Sequence, residues 1–158
     1  MKRHPLELTV QYATERPWVP SRRQLARWAN AALPARAHHD MTVRIVGGSE
    51  SRSLNRRYRH KDQPTNVLSF PATVPSLDGR KLLGDLVVCA PVVSQEARDQ
   101  RKAREAHWAH MIVHGTLHLL GYDHGRARDA QRMERREIRI LAGLGIANPY
   151  ILREMARG

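Results

Sequence analysis

One cysteine, one phenylalanine and only four lysines occur in 158 residues. Cys89 has no partner for an intrachain disulfide, which fits a reducing compartment, so a cytoplasmic protein is expected. Lying in an apolar run, Cys89 reads as a small buried hydrophobe rather than a ligand or nucleophile. The longest apolar stretch, Leu86 to Val93, is far too short to span a membrane. The amino terminus, Met-Lys-Arg-His-Pro, leads straight into an alternating segment with no signal-peptide core. No internal repeat and no low-complexity segment is present. Disulfide scaffolds, membrane spans and solenoids are therefore excluded as organising principles.

What the chain does have is arginine, histidine and enough apolar residues for a core. Hydrophobic residues make up 41% of the sequence, and its length fits one domain over residues 1–158. The formal charge is +12, with 27 basic residues of which all but four are arginine. Guanidinium stays charged and grips phosphate through two hydrogen bonds. A surface this basic attracts nucleic acid or an anionic membrane. With no strongly lipid-seeking amphipathic segment in the sequence, nucleic acid is the favoured partner.

Hydrophobic periodicity divides the chain into alternating strands and helices. Leu6 to Tyr12 alternates apolar and polar residues and reads as a half-buried strand. Ser21 is a helix N-cap, followed by Leu25, Trp28, Ala29 and Ala32 on one face, with a stop near Leu33-Pro34. Met41 to Val46 reads as a second strand ended by Gly47-Gly48. Ser49 to Arg59 reads as a short basic helix with Leu54 and Tyr58 inward. A turn-rich loop from His60 leads to a short strand, Val67 to Phe70, and loops feeding strand edges commonly carry functional side chains. Pro75, Asp78 and Gly79 mark an exposed connection, and Gly84 to Cys89 a fourth, central strand. Asp85, at its start, is either a strand-end carboxylate or a neighbour of the functional site. Pro91 to Leu120 is helical throughout, but one helix of that length would run about 45 Å against a radius of gyration of about 15 Å. A break is therefore expected near Arg101–Arg104. Asp129 to Leu141 reads as a last amphipathic helix with Met133, Ile138 and Leu141 inward, and the tail beyond it as loosely packed. Most arginines of the two basic helices read as solvated.

The chemistry concentrates in His114-Gly-Thr-Leu-His118-Leu-Leu-Gly121-Tyr-Asp-His124. Histidines four apart share one helix face, so both imidazoles can reach a single ion. Gly121 stops the helix, since glycine takes the left-handed conformation without strain, and lets the chain return His124 to the same point. Three imidazoles with an open fourth position describe a catalytic rather than a structural zinc site. His107 and His110 extend the same stripe. Positions eight apart are separated by about 12 Å along the axis, so the whole stripe cannot serve one ion. His110 is expected to be structural, substrate-facing or a neighbour of the ligands. The same spacing occurs in metzincin peptidases, which carry a Glu directly after the first His as general base. Here that position is Gly115. Zinc lowers the pKa of bound water to about 7, which makes a strong protein base dispensable for other substrates.

Together with Leu54-Asn55 through Arg59, Pro64-Thr-Asn-Val-Leu-Ser-Phe-Pro71 and Gly84-Asp-Leu-Val-Val-Cys89, the 114–124 motif resembles the YbeY family of bacterial rRNA maturation factors and single-strand-specific endoribonucleases. The resemblance covers about the central half of the chain in the family's order, with no departure at the motif positions. It implies an α+β, single zincin-like domain in which a small mixed sheet of about four strands packs around a central metal-binding helix. It further implies one zinc ion on His114, His118 and His124, and a catalytic role for Arg59 beside it. Single-stranded and ribosomal RNA are the implied substrates, with ribosome or small-subunit proteins as partners. The implied roles are 16S rRNA 3′-end maturation and ribosome biogenesis and quality control. Asp85 or Asp123 is left to orient a ligand imidazole or relay a proton. Two rival readings stand beside it: a non-catalytic ribosome-assembly factor with structural zinc, and a metzincin-like peptidase, the latter opposed by Gly115.

Overall fold

The computed structural model describes residues 6–36, 38–74 and 79–151. Strand β1 (Leu6–Tyr12) leads through helix α1 (Arg22–Ala32) to β2 (His39–Val46), and α2 (Gly48–Arg59) leads to β3 (Val67–Pro71) and β4 (Lys81–Cys89). Helices α3 (Ala90–Asp99), α4 (Arg104–Leu119) and α5 (Ala127–Gly143) follow. The strands form one sheet in the order β1-β2-β4-β3. β2 runs parallel to both β1 and β4, while β3 returns antiparallel on β4. This is the mixed α+β architecture that the sequence led us to expect.

Period-2 patterning sets the faces of the sheet. Leu8 and Val10 of β1, Met41, Val43 and Ile45 of β2, and Leu86 and Val88 of β4 share the main core with α1, α4 and α5. The alternate residues of β4, Val87 and Cys89, join Val46 and Leu68 in a second, smaller core, with Leu54 and Phe70 packed against it. β4 is thus covered on both faces, as its continuous apolar run foretold. Cys89 is buried and unpaired. Helix α1 begins at Ser21, whose side chain and that of Gln24 cap each other's backbone N–H groups, and it buries Leu25, Trp28, Ala29 and Ala32.

Helix α4 runs through the middle of the molecule. Trp108, Ala109, Ile112, Val113 and Leu117 are fully buried on it. It packs tightly on the sheet at Gly115, where an added Cβ would lie 2.8 Å from Leu86 Cδ2 and 3.4 Å from Val67 Cγ2. The expected break before α4 is present, with Arg101 at φ +54° between α3 and α4.

Several sequence expectations shift. β2 and β4 start earlier than the hydrophobic pattern suggested, at His39 and Lys81, because their backbone pairing extends past Met41 and past Gly84. Gly84 is not the start of β4 but an irregularity within it: its φ is +132°, and a Cβ there would sit 2.1 Å from the Phe70 carbonyl oxygen. Tyr58 is half-exposed, and the buried face of α2 is polar, made by Ser51 and Asn55. On α5 the fully buried positions are Met133, Glu137 and Leu141; Ile138 is only partly covered. The segment after α5, expected to pack loosely, sends Tyr150 to Glu137 and receives a hydrogen bond from Lys102 at the Pro149 carbonyl. Pro75, Asp78 and the chain beyond Ile151 lie outside the described residues. Among the described residues no helix is long and apolar enough to cross a membrane.

Candidate metal centre and its groove

His114 and His118 occupy the last two turns of α4, where they alone are only partly buried among buried neighbours. Gly121, at φ +102°, turns the chain just after the helix. The following loop is shaped by Asp123, whose Oδ1 accepts hydrogen bonds from the backbone N–H groups of His124 at 2.7 Å and Gly125 at 3.2 Å. One donor atom from each of His114, His118 and His124 lies within 4.8 Å of the others.

Hydrogen bonding fixes which nitrogens face inward. His118 Nδ1 lies 3.0 Å from the Tyr122 carbonyl oxygen. A carbonyl only accepts, so Nδ1 carries the proton. His114 Nδ1 bonds to Oε1 of Glu137. Burial opposes ionisation of Glu137, yet hydrogen bonds from His110 and His114 outweigh it and hold the carboxyl at about 2. As a carboxylate Glu137 also only accepts. When both rings are neutral, as ion binding requires, both Nε2 atoms present lone pairs; those atoms are 3.2 Å apart. Burial, followed by the charges of His114 and His124, pushes the His118 imidazole down to about 4, so it is neutral at pH 7. Two lone pairs facing at this distance repel unless a cation lies between them. Nitrogens bound tetrahedrally at 2.0–2.1 Å from zinc are about 3.3 Å apart. The donor set and its outer partners thus fit a divalent ion with imidazole ligands.

Glu137 is the residue the sequence reading missed. It is 1% exposed. It also accepts from the Tyr150 hydroxyl and lies 3.3 Å from His110 Nε2, while Tyr150 Oη is 3.1 Å from the same nitrogen. The signal was available, since a carboxylate midway between Met133 and Leu141 on the apolar stripe of α5 needs a buried partner. His110 is thereby placed as a neighbour of the three-histidine cluster, sharing Glu137 with His114. Asp85 is exposed on the face of β4 opposite the one that meets α4. Asp123 organises the loop of His124. Neither hydrogen-bonds the His114 or His118 imidazole; Glu137 and the Tyr122 carbonyl do so.

A groove of about 610 Å³ opens over the histidines. Arg59, the last residue of α2, lines it, together with Asn66, Ser69 and the three histidines. Helix α2 fixes the opposite wall through its buried polar face. Ser51 Oγ donates to the Thr65 carbonyl and accepts from the Thr65 N–H, both at 3.0 Å, and Asn55 Nδ2 donates to the Gln63 carbonyl at 2.8 Å. His60 then ends the helix in the left-handed conformation at φ 59°. Arg59 therefore leaves a rigid helix end directly into the groove. Arg52 is instead spent on Asp62 in an exposed ion pair at 2.8 Å.

Similarity to known proteins agrees with this geometry. The solution structure of TM1509 from Thermotoga maritima superposes with a TM-score of 0.58 at 20% identity, over 95% of this chain and 93% of that one. At that identity the likeness establishes the fold. The family model described as Endoribonuclease YbeY matches residues 11–145, a span that includes Arg59, all three groove histidines and Glu137. The chain belongs to the YbeY endoribonuclease family.

Proposed function

We infer that this protein is a zinc-dependent, single-strand-specific endoribonuclease that acts in ribosomal RNA processing, including maturation of the 16S rRNA 3′ end, and in ribosome quality control. The observation that carries the metal dependence is the pair of inward Nε2 atoms 3.2 Å apart, each with its Nδ1 proton committed elsewhere. His114, His118 and His124 hold one ion. Bound there, zinc supplies Lewis acidity toward a phosphoryl oxygen and lowers the pKa of water. The chain's own residues do the rest. Glu137 and the Tyr122 carbonyl hold two of the imidazoles in the coordinating tautomer. Arg59 faces the phosphodiester across the groove and neutralises charge that grows on its non-bridging oxygens. The formal charge of +12 draws the RNA backbone in, so affinity falls steeply with salt. The ribosome or small-subunit proteins present the RNA.

A peptidase reading lacks its base, because the Cβ of any residue at position 115 points into Leu86 rather than into the groove. The test is cleavage of a labelled single-stranded RNA by wild type and by His114→Ala purified in parallel. Cleavage by wild type alone is the expected outcome. Equal cleavage identifies a contaminant, and no cleavage by either moves the function to RNA binding in ribosome assembly with a structural ion.

A further inference from the structure

A second cleft, of about 370 Å³, lies on the other side of Asn66 from the groove. Asn66 lines both. Its side chain is fixed in place: Nδ2 is 3.2 Å from each oxygen of Glu96, and Oδ1 accepts from the Val67 N–H at 2.6 Å. The cleft is bounded by α3, the first half of α4 and the segment carrying Pro149 and Tyr150. Its volume is in the range of small-ligand sites.

Beside the paired Glu96 and His107, the lining has two characters. Met111, Pro149 and Tyr150 supply apolar and aromatic surface. Tyr150 is partly exposed, and its hydroxyl is tied to Glu137, so the ring is held in one orientation. Gln100 and Lys102 supply hydrogen-bonding groups at the rim. Lys102 Nζ donates to the Pro149 carbonyl at 2.9 Å and retains two further N–H groups. Partial burial lowers the Lys102 pKa, so that ammonium is incompletely hydrated. A rigid aromatic wall with donors and an amide at its edge is the chemistry that single-stranded RNA proteins use to take a splayed base.

The cleft's position relative to the groove identifies the occupant. His110 lines the cleft and His114 lines the groove, four residues apart on α4, about 6 Å along the axis. A phosphate placed over the groove histidines therefore has its neighbouring nucleotide within reach of the cleft mouth, across Asn66. A free small molecule would need no such continuity with the groove. We propose that this cleft is a nucleobase subsite, receiving the base next to the scissile phosphate and stacking it against Tyr150 and Met111, with its edge read by Gln100 and Lys102. The proposal rests on the ribonuclease reading of the groove and adds to it a specificity pocket.

The experiment uses zinc-loaded full-length protein and short single-stranded RNAs in which one nucleotide at a time around a single cleavage site is made abasic. Cleavage kinetics are read on these RNAs. Affinity is read in parallel by fluorescence anisotropy on versions whose scissile linkage has its bridging oxygens replaced by CH2, which hydrolysis does not cleave. One flanking position is expected to be sensitive, with loss of its base weakening binding and raising KM about tenfold, the scale of one aromatic stacking contact. Gln100→Trp, at the exposed rim, fills the cleft and is expected to weaken intact RNA by a similar factor while becoming indifferent to the abasic substitution. No sensitive position in wild type overturns the subsite, and this arm needs no variant to fold. Losses that multiply between Gln100→Trp and the abasic RNA also overturn it. Sensitive binding without cleavage retains the subsite but overturns the nuclease reading, and absence of RNA binding overturns both.

Discussion

Helix α4 carries four histidines along one stripe, yet its two halves do opposite things. In the first half, His107 Nε2 lies 2.9 Å from Glu96 Oε1, and His110 Nε2 faces Glu137 and Tyr150. Their outer nitrogens are consumed by carboxylates, and their Nδ1 atoms are buried without a hydrogen-bond partner. In the second half the roles of the two nitrogens reverse. Nδ1 is held and Nε2 is left facing the groove. The difference comes from where acceptors stand, since the residue type is the same throughout. An acceptor at the end of the ring ties the imidazole into the structure; an acceptor beside Nδ1 leaves Nε2 free to face the groove. Glu137 takes part in both patterns, with one oxygen on His114 and the other on His110 and Tyr150.

The largest effect should come from the second half. His118→Ala removes an inward Nε2, and zinc affinity measured by competition with a chromophoric chelator should fall more than about 100-fold, beyond the usual cost of losing an outer partner. Unfolding of the metal-free protein should change far less. A variant that keeps zinc would break the comparison. Next comes Gly115→Glu, which places a carboxylate directly after His114 as in the metzincin pattern. Gly115 faces Leu86, and the new side chain should cost about 3 kcal/mol or more in urea unfolding without conferring proteolysis.

Glu137→Gln sharpens the comparison at its hinge. Gln retains the size but has only one acceptor oxygen, so His114 and His110 can no longer both be served. Zinc affinity is expected to drop about 10- to 100-fold by isothermal titration. The smallest effect belongs to the first half. Glu96→Gln should cost about 1 kcal/mol of stability, since that pair is partly screened by solvent, and should leave zinc affinity unchanged. Its pH dependence has a definite sign. Burial works against ionisation of Glu96, but hydrogen bonds from His107 and Asn66 prevail and lower its pKa below the ordinary 4.5. The unfolded state then takes up the proton first as pH falls. Wild type should lose stability below about pH 4.5 more steeply than Glu96→Gln, as followed by urea midpoints across that range.

Much of this arrangement was legible in the sequence because its signals are local. Ser21 with Gln24, the period of Leu25, Trp28, Ala29 and Ala32, and the break near Arg101 are all set by contacts within a few residues. The histidine spacing and Gly121 likewise act over one or two helical turns. Residues whose meaning depends on a distant partner were harder to read. Tyr58 fits an apolar helix pattern, but the loop it would cover is instead held by Ser51 and Asn55 through backbone groups that no pattern displays. Gly84 looked like a strand end because the cause of its conformation, the Phe70 carbonyl, belongs to another strand.

The sequence by itself determined the α+β class, the family and the convergence of His114, His118 and His124, because periodicity and turn chemistry are encoded in neighbouring residues. Only the tertiary structure decided which nitrogen of each imidazole is free. That depends on Glu137, 23 residues from His114, on the Tyr122 carbonyl after the glycine turn and on Tyr150 from the closing segment. A histidine's tautomer is fixed by the acceptor it meets, and for His114 and His110 that acceptor comes from a different element.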